Sequence, residues 1–314
     1  MRTRLSTLVA ALLVALAVAP SAGAQDPEGD EYFKKINLWH IERESRLRSD
    51  SGWLTVSGLF WLGPTDNTFG TAPDNAVILP PGTAPAHAGA FRVEPQDGGP
   101  SVRVTVEPGV RALVDGEPVS TRYLAPDDPG PPDELTLGRL TLWVIVRKNQ
   151  FGIRLRDPQA RLRQEFTGIE TYPTDLSYRV TGRWNPFEEP KPVVFSNEAG
   201  YTDTTLAYGE AVFELEGREL SLLPQHMAPG DSSLFFVVAD RTTGTETYGG
   251  GRFLQGVLRP DGSVLLDFNK AYNPPCAFNP WTTCPLPPEE NRLPVAIRAG
   301  EMDYAPAAGP DSGD

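Results

Sequence analysis

The sequence predicts a mostly β protein: an antiparallel β-sandwich or barrel-like domain with one N-terminal α-helix. Three observations carry this reading. Only one stretch, Tyr32 to Arg48, repeats apolar residues at helical spacing. From Trp53 onward, short runs of branched and aromatic residues return about every 8 to 15 residues with turn residues between them. No helical run separates those strands, which argues against a parallel α/β sheet.

The elements follow in order. Residues 1–24 read as a secretory signal. Arg2 and Arg4 supply the positive start, Leu8 to Ala19 the apolar run, and Ala22-Gly23-Ala24 the small-residue cleavage site. The run is shorter than the roughly 20 apolar residues that span a bilayer. No other stretch reaches that length, so no transmembrane segment is expected in the mature chain. The expected location is periplasmic or extracellular, after cleavage near Ala24. Residues 25–30 form an acidic linker, 31–302 the β domain, and 303–314 a disordered tail. Two packed β halves, split near 185–197, are the variant arrangement.

In the helix, Phe33, Ile36, Trp39 (or His40) and Leu47 fall near one face, and Glu42 and Arg46 sit at i,i+4. The run from Trp53 to Leu62 reads as the first strand, with Trp53 and Trp61 of equal parity. Ser101 to Glu107 alternates strictly, as a half-buried strand does. Asp115-Gly116 marks a hairpin between Val110–Val114 and Val119–Leu124. Leu140–Val146 and Phe151–Arg156 flank Lys148-Asn149-Gln150. Ser177–Thr181, Val193–Phe195, Asp203–Tyr208, Ala211–Leu215 and Glu219–Leu223 continue the pattern. Ser233–Val238 is almost wholly apolar and reads as a central strand. Arg252–Leu258 and Ser263–Phe268 flank the turn residues Pro260-Asp261-Gly262.

Composition narrows the partners. Without Arg2 and Arg4, 26 of the 28 basic residues remain against 41 acidic ones, a net charge near −15. That argues against nucleic acid and anionic membrane surfaces as partners. A small-molecule ligand stays open, and so does the oligomeric state.

The usual catalytic and phosphate-binding motifs are missing. The three histidines, His40, His87 and His226, stand far apart. No cofactor and no metal are therefore expected. Chemistry-bearing residues gather instead around one odd segment, Asn269 to Pro294, which holds both cysteines, seven prolines and three aromatics. Proline excludes helix and central strand, and long rigid loops often carry function. Asp267, Asn269, Lys270, Tyr272 and Asn273 stand at its start. Arg252 opens a nearby strand after three glycines. Together they are the candidate ligand-binding set, although Asp267 and Asn269 are equally suited to tying down a proline-rich backbone. A second candidate patch is Arg147, Arg154 and Arg156 on one sheet face, an anion site or a solvated face of ion pairs. Cys276 and Cys284, in an exported chain, suggest a disulfide; two packed thiols are the other reading.

The run Asp267-Phe-Asn-Lys-Ala-Tyr-Asn-Pro-Pro-Cys-Ala-Phe, with Cys284-Pro-Leu-Pro-Pro-Glu-Glu-Asn-Arg-Leu-Pro294, resembles the DUF1684 family of uncharacterised bacterial and archaeal proteins. Thr247 to Phe253, Gly52-Trp53-Leu54 with Phe60-Trp61-Leu62, and Arg154 to Asp157 with Phe166 to Ile169 fit its pattern, so the resemblance spans about 35–302. It implies no catalytic residue, cofactor or substrate. Three readings of function follow from the residues. One is an exported protein binding a small polar or anionic ligand beside the Cys276–Cys284 loop. The second is a hydrolase or lyase on a small or sugar-like substrate, using Asp267 and Glu290. The third is a purely structural envelope protein.

Overall fold

The computed structural model describes residues 27–197, 200–225 and 231–304. The expected signal peptide, His226 and the tail from 305 lie outside these residues. The helix spans Pro27–Arg48 and so takes in residues 27–30, which the sequence assigned to a linker. Ile36 and Leu47 face inward with Arg43 buried between them. Phe33 is exposed, against expectation. Tyr32 holds the inward position, because its hydroxyl donates to the Asp267 carboxylate at 2.8 Å, which a phenyl ring cannot do. The chain reverses at Gly52, where a Cβ would stand 2.2 Å from the Leu47 carbonyl oxygen.

Trp53–Thr55 form a 3-10 turn rather than the start of a strand. Two sheets then enclose the first core. One orders Val56–Trp61, Gln150–Arg156, Leu140–Arg147, Leu135–Leu137, Ala112–Val114 and Glu117–Pro118. The facing sheet orders Val77–Ile78, Asn67–Gly70, Gly89–Glu94, Ser101–Val106 and Thr121–Leu124. Alternation drives the packing: Val102, Val104 and Val106 meet Phe69, Phe91, Leu135, Leu142 and Ile153 in one cluster. The Asp115-Gly116 hairpin forms, with φ of 53° and 82°. Its second arm ends at Pro118, which has no N–H to offer, and Thr121–Leu124 crosses to pair with Ser101–Val106 in the facing sheet.

The third sheet orders Arg218–Leu222, Thr202–Leu215, Arg179–Ser196, Ser263–Asp267, Arg252–Leu258 and Ser233–Val238. Residues 185–196 lie inside one long strand. A register shift between Pro186 and Lys191 accommodates its prolines. One face of this sheet, with Phe213, Phe236, Leu254 and Leu266, is covered by Leu293, Val295, Ile297 and Ala299. Ser233–Val238 is an edge strand, not a central one. It is buried all the same, because other backbone covers its edge: Gln225 N–H donates to Phe235 O at 2.8 Å, and Leu293 N–H donates to Ala239 O at 2.8 Å. No helix of the described residues is long and apolar enough to cross a membrane. The fold is mostly β with one N-terminal helix, and none of its sheets closes into a barrel among the described residues.

The proline-rich segment is pressed between the first sandwich and the third sheet. Cys284 packs on Val237 and Phe253 of the third sheet. Asn279 reaches the other way, its Nδ2 donating to Trp53 O at 2.8 Å and Val56 O at 2.7 Å. A chain so rich in proline has no ladder to satisfy its surroundings, and side-chain amides fill that role. Asn291 accepts from Leu223 N–H at 2.8 Å and donates to Leu223 O at 2.8 Å and Val237 O at 3.0 Å. Asn273 donates to Met302 O at 2.7 Å. The packed chain continues to Tyr304, whose ring lies on Phe166 and Phe278, so the expected disordered tail does not begin at 303. Asn291→Ala strands three buried backbone groups and is expected to cost about 3 kcal/mol in urea unfolding. Asn149→Ala, on an exposed turn, is expected to change stability by less than about 0.5 kcal/mol.

Candidate functional site

The first candidate set does converge, but its polar groups are occupied by the protein itself. Asp267, at the end of its strand, accepts from Tyr32 and, at 3.4 Å, from Asn269 Nδ2. Asn269 also clasps Asp175, accepting from its N–H at 2.9 Å and donating to its carbonyl at 2.7 Å. Lys270 is half-buried. Its charge helps lower the pKa of His40, which burial depresses first. Tyr272 stacks edge-on against Phe253 and beneath Arg43. Arg252 is a strap. It donates to Ala299 O, to Ile297 O at 2.9 Å and to the Asp240 carboxylate at 2.8 Å, fixing the C-terminal segment across the sheet. Gly251 (φ 82°) leaves room for this: a Cβ there would stand 2.5 Å from Pro287. Glu290 is exposed on the 3-10 turn Glu289–Asn291 while Asp267 is buried, and neither lines the clefts described below.

A group missed by the sequence reading lies behind this set. Glu301 is fully buried. Its Oε2 accepts from Asn273 N–H at 2.7 Å, and its Oε1 lies 3.3 Å from Arg43 Nε. Burial pushes its pKa up to about 7, with Arg43, the Asn273 N–H and Arg252 opposing.

The second patch is brought to one face of the first sandwich, the face turned toward the proline-rich segment. Arg147 is held by Asp127 through two bonds of 3.0 and 2.9 Å and reaches Thr283 at 3.4 Å. Arg156 lies over Trp143 and pairs with Glu134 at 3.4 Å. Arg154 differs from both. It is 4% exposed, and its guanidinium sits against the rings of Trp53 and Trp143 at 5.5 and 5.9 Å; its Nε, like that of Arg156, meets no hydrogen-bond partner among the described residues. Burial and Arg147 push its pKa down to about 10.

The expected disulfide is not present in this structure. Cys276 and Cys284 face each other through hydrogen bonds. Cys276 N–H points to Cys284 Sγ at 3.2 Å and Cys284 N–H to Cys276 Sγ at 3.1 Å.

Beside this loop opens a cleft of about 400 Å³, lined by Arg147, Lys148, Tyr201, Asp203, Gln225 and Thr283 among others. The turn residue Lys148 (φ 55°) lies 5.5 Å from the Tyr201 ring centroid, and Tyr201 donates to Gln150 at 2.8 Å. Gln225 is buried, and its Oε1 meets no partner among the described residues. Of this lining the sequence pointed only to Arg147. The rest come from stretches far apart in the chain and carry no local signal. The buried Glu301 carboxyl makes stability depend on pH. The folded-state pKa of Glu301 lies above its ordinary value, so its neutral form is favoured by folding. Stability therefore falls as pH rises from about 4.5 through about 7. The loss is expected to be about 3 kcal/mol, read by urea unfolding at pH 5 and pH 8, and Glu301→Gln is expected to remove it.

The family model "Protein of unknown function (DUF1684)" matches residues 164–302. The resemblance noted before residue 164, including the Trp53 segment and the arginine face, lies outside that match. No curated protein matches the chain. Among solved structures, the solution NMR structure of an uncharacterized protein of Haloarcula marismortui is 35% identical. The match covers 45% of this chain and 78% of that one, with a TM-score of 0.37. The likeness therefore rests on sequence, and by sequence this chain belongs to the DUF1684 family.

Proposed function

We propose that the protein is an exported binding protein that holds a small polar ligand bearing an anionic group in the cleft beside the Cys276–Cys284 loop. One observation supports this above the others: Gln225 offers the cleft a buried acceptor, Oε1, that the described residues leave unpartnered. Such a group costs stability unless something donates to it. Arg147 and Lys148 stand on the same lining, and Asp127 fixes the orientation of the first. A ligand with an anionic group for these cations and a hydroxyl or amino donor for Gln225 meets both demands. Asp128 and Asp203 also line the cleft, so a doubly anionic ligand fits less well than a hydroxy acid or an amino acid. The signal-like leader, Arg2 to Ala24, supports export.

Thermal-shift screening of the purified chain against hydroxy acids, amino acids and sugar acids is the direct test, because a ligand that binds only the folded state raises Tm. A hit is expected to lose about tenfold in affinity in Gln225→Ala and in Lys148→Ala. Without ligand, Gln225→Ala is expected to be no less stable than the parent, since it removes an unpaired acceptor. Absence of any shift across these classes, or equal binding by both variants, would remove the reading. Export predicts that protein recovered outside the cytoplasm begins at Gln25.

A further inference from the structure

Two features near the cysteine loop do not line the ligand cleft. The first is the cation of Arg154. Arg147 has Asp127 and Arg156 has Glu134 as ion-pair partners, whereas Arg154 is buried, its Nε meets no hydrogen-bond partner among the described residues, and its guanidinium rests against two indole rings. The Asp127 carboxylate also acts on it by charge, but that carboxylate is bonded to Arg147, and a buried charge so shared is costly to keep. Cys284 and Cys276 both lie within electrostatic reach of its guanidinium.

The second feature is the sulfur of Cys276. It accepts from Thr282 Oγ1 at 2.9 Å and from Cys284 N–H at 3.1 Å. The Cys284 N–H is committed to this sulfur, the Thr282 hydroxyl divides its one proton between it and Asn279 O, also at 2.9 Å, and a buried cation lies nearby; such surroundings favour a thiolate. Cys276 also lines a second cleft, of about 240 Å³, with Leu162, Glu165, Phe278 and Tyr304, so it can be reached from solvent. Cys284 is 6% exposed and stands behind it. Each sulfur lies within 3.2 Å of the other residue's backbone nitrogen, so the two residues stand side by side, as a disulfide requires.

We propose that Cys276 and Cys284 form a reversible thiol–disulfide couple, with Cys276 as the attacking thiolate, Cys284 as the resolving thiol, and Arg154 as the cation that stabilises the reduced form. The co-reactant is a disulfide, carried by a small thiol compound or by a protein. The Cys276 thiolate attacks one of its sulfurs, forming a mixed disulfide and expelling the other sulfur as thiolate. Cys284 loses its proton to solvent and attacks the Cys276 sulfur, expelling the second thiolate. Both expelled thiolates take up protons. Two electrons have then passed to the co-reactant, and the chain is left with a Cys276–Cys284 bond; the reverse sequence restores the dithiol.

The test equilibrates the full chain with reduced and oxidised glutathione at graded ratios, quenches with acid, and counts thiols by mass-tagged maleimide. The expected result is a reversible transition between two tags and none. Arg154→Gln is expected to shift its midpoint about tenfold toward the disulfide, about 30 mV for this two-electron couple, and Arg154→Lys to stay near the parent. Single-thiol variants give an independent readout with an aromatic disulfide reagent. Cys284→Ser, which keeps Cys276, is expected to react at least about tenfold faster than Cys276→Ser. A chain that keeps both tags at every ratio overturns the proposal. So does a natively folded Arg154→Gln with an unshifted midpoint, or equal rates in the two single-thiol variants. If Arg154→Gln does not fold, the rates decide alone. A small-thiol co-reactant predicts exchange with glutathione at rates comparable to those with an oxidised dithiol protein, and a protein co-reactant predicts faster exchange with the latter.

Discussion

A chain with seven prolines in 26 residues cannot satisfy buried neighbours with its own backbone, and this chain runs through the middle of the molecule. Asn269, Asn273, Asn279 and Asn291 resolve the conflict. Each is at most 1% exposed, and each spends its side-chain amide on backbone groups that would otherwise lie unpaired. An amide both donates and accepts, so a single side chain stands in for a strand's worth of contacts at one point. The proline-rich segment therefore works as a layer between the first sandwich and the third sheet. It can be rigid, dry and non-repetitive at once, and it holds two β bodies in register without continuing either sheet.

The buried charges follow from that arrangement. The segment needs anchors at both ends, and the anchors are ionic. Arg252 with Asp240 straps the stretch Ile297–Glu301 over the third sheet. Arg43 from the helix reaches Asn273 O at 2.9 Å and Glu301 beside it. Such pairs add little net stability compared with apolar packing of the same volume, but losing one partner is costly, so they fix geometry more than they add free energy. Arg154 Nε, Arg156 Nε, Asn273 Oδ1 and Gln225 Oε1 are among the exceptions, buried polar atoms with no hydrogen-bond partner among the described residues. A partner from outside the fold is one way such a group is completed.

Local chemistry was legible in the sequence, and long-range placement was not. The turns at Asp115-Gly116 and Asp261-Gly262 could be read because a two- or three-residue signal determines each one. The helix was read one position off at Phe33, since hydrophobicity ranks phenylalanine above tyrosine and takes no account of a carboxylate 235 residues away. Ser233–Val238 was misplaced as central for a related reason: burial on both faces and coverage of an edge leave the same apolar run. The structural alternative weighed for Asp267 and Asn269 is the one their hydrogen bonds follow. Gln225, Lys148 and Tyr201 meet only through the packing of strands far apart in the chain, so no spacing in the sequence could announce them.

Native-state hydrogen exchange at the Leu223 amide tests the central claim most directly, because that N–H is bonded to the Asn291 side chain and to no strand. If asparagine side chains replace the ladder, this amide exchanges only on global unfolding, with protection matching that of Val264 in the third sheet. Exchange orders of magnitude faster than Val264, at the rate of an exposed loop amide, would show that the proline-rich layer opens on its own and would contradict the account.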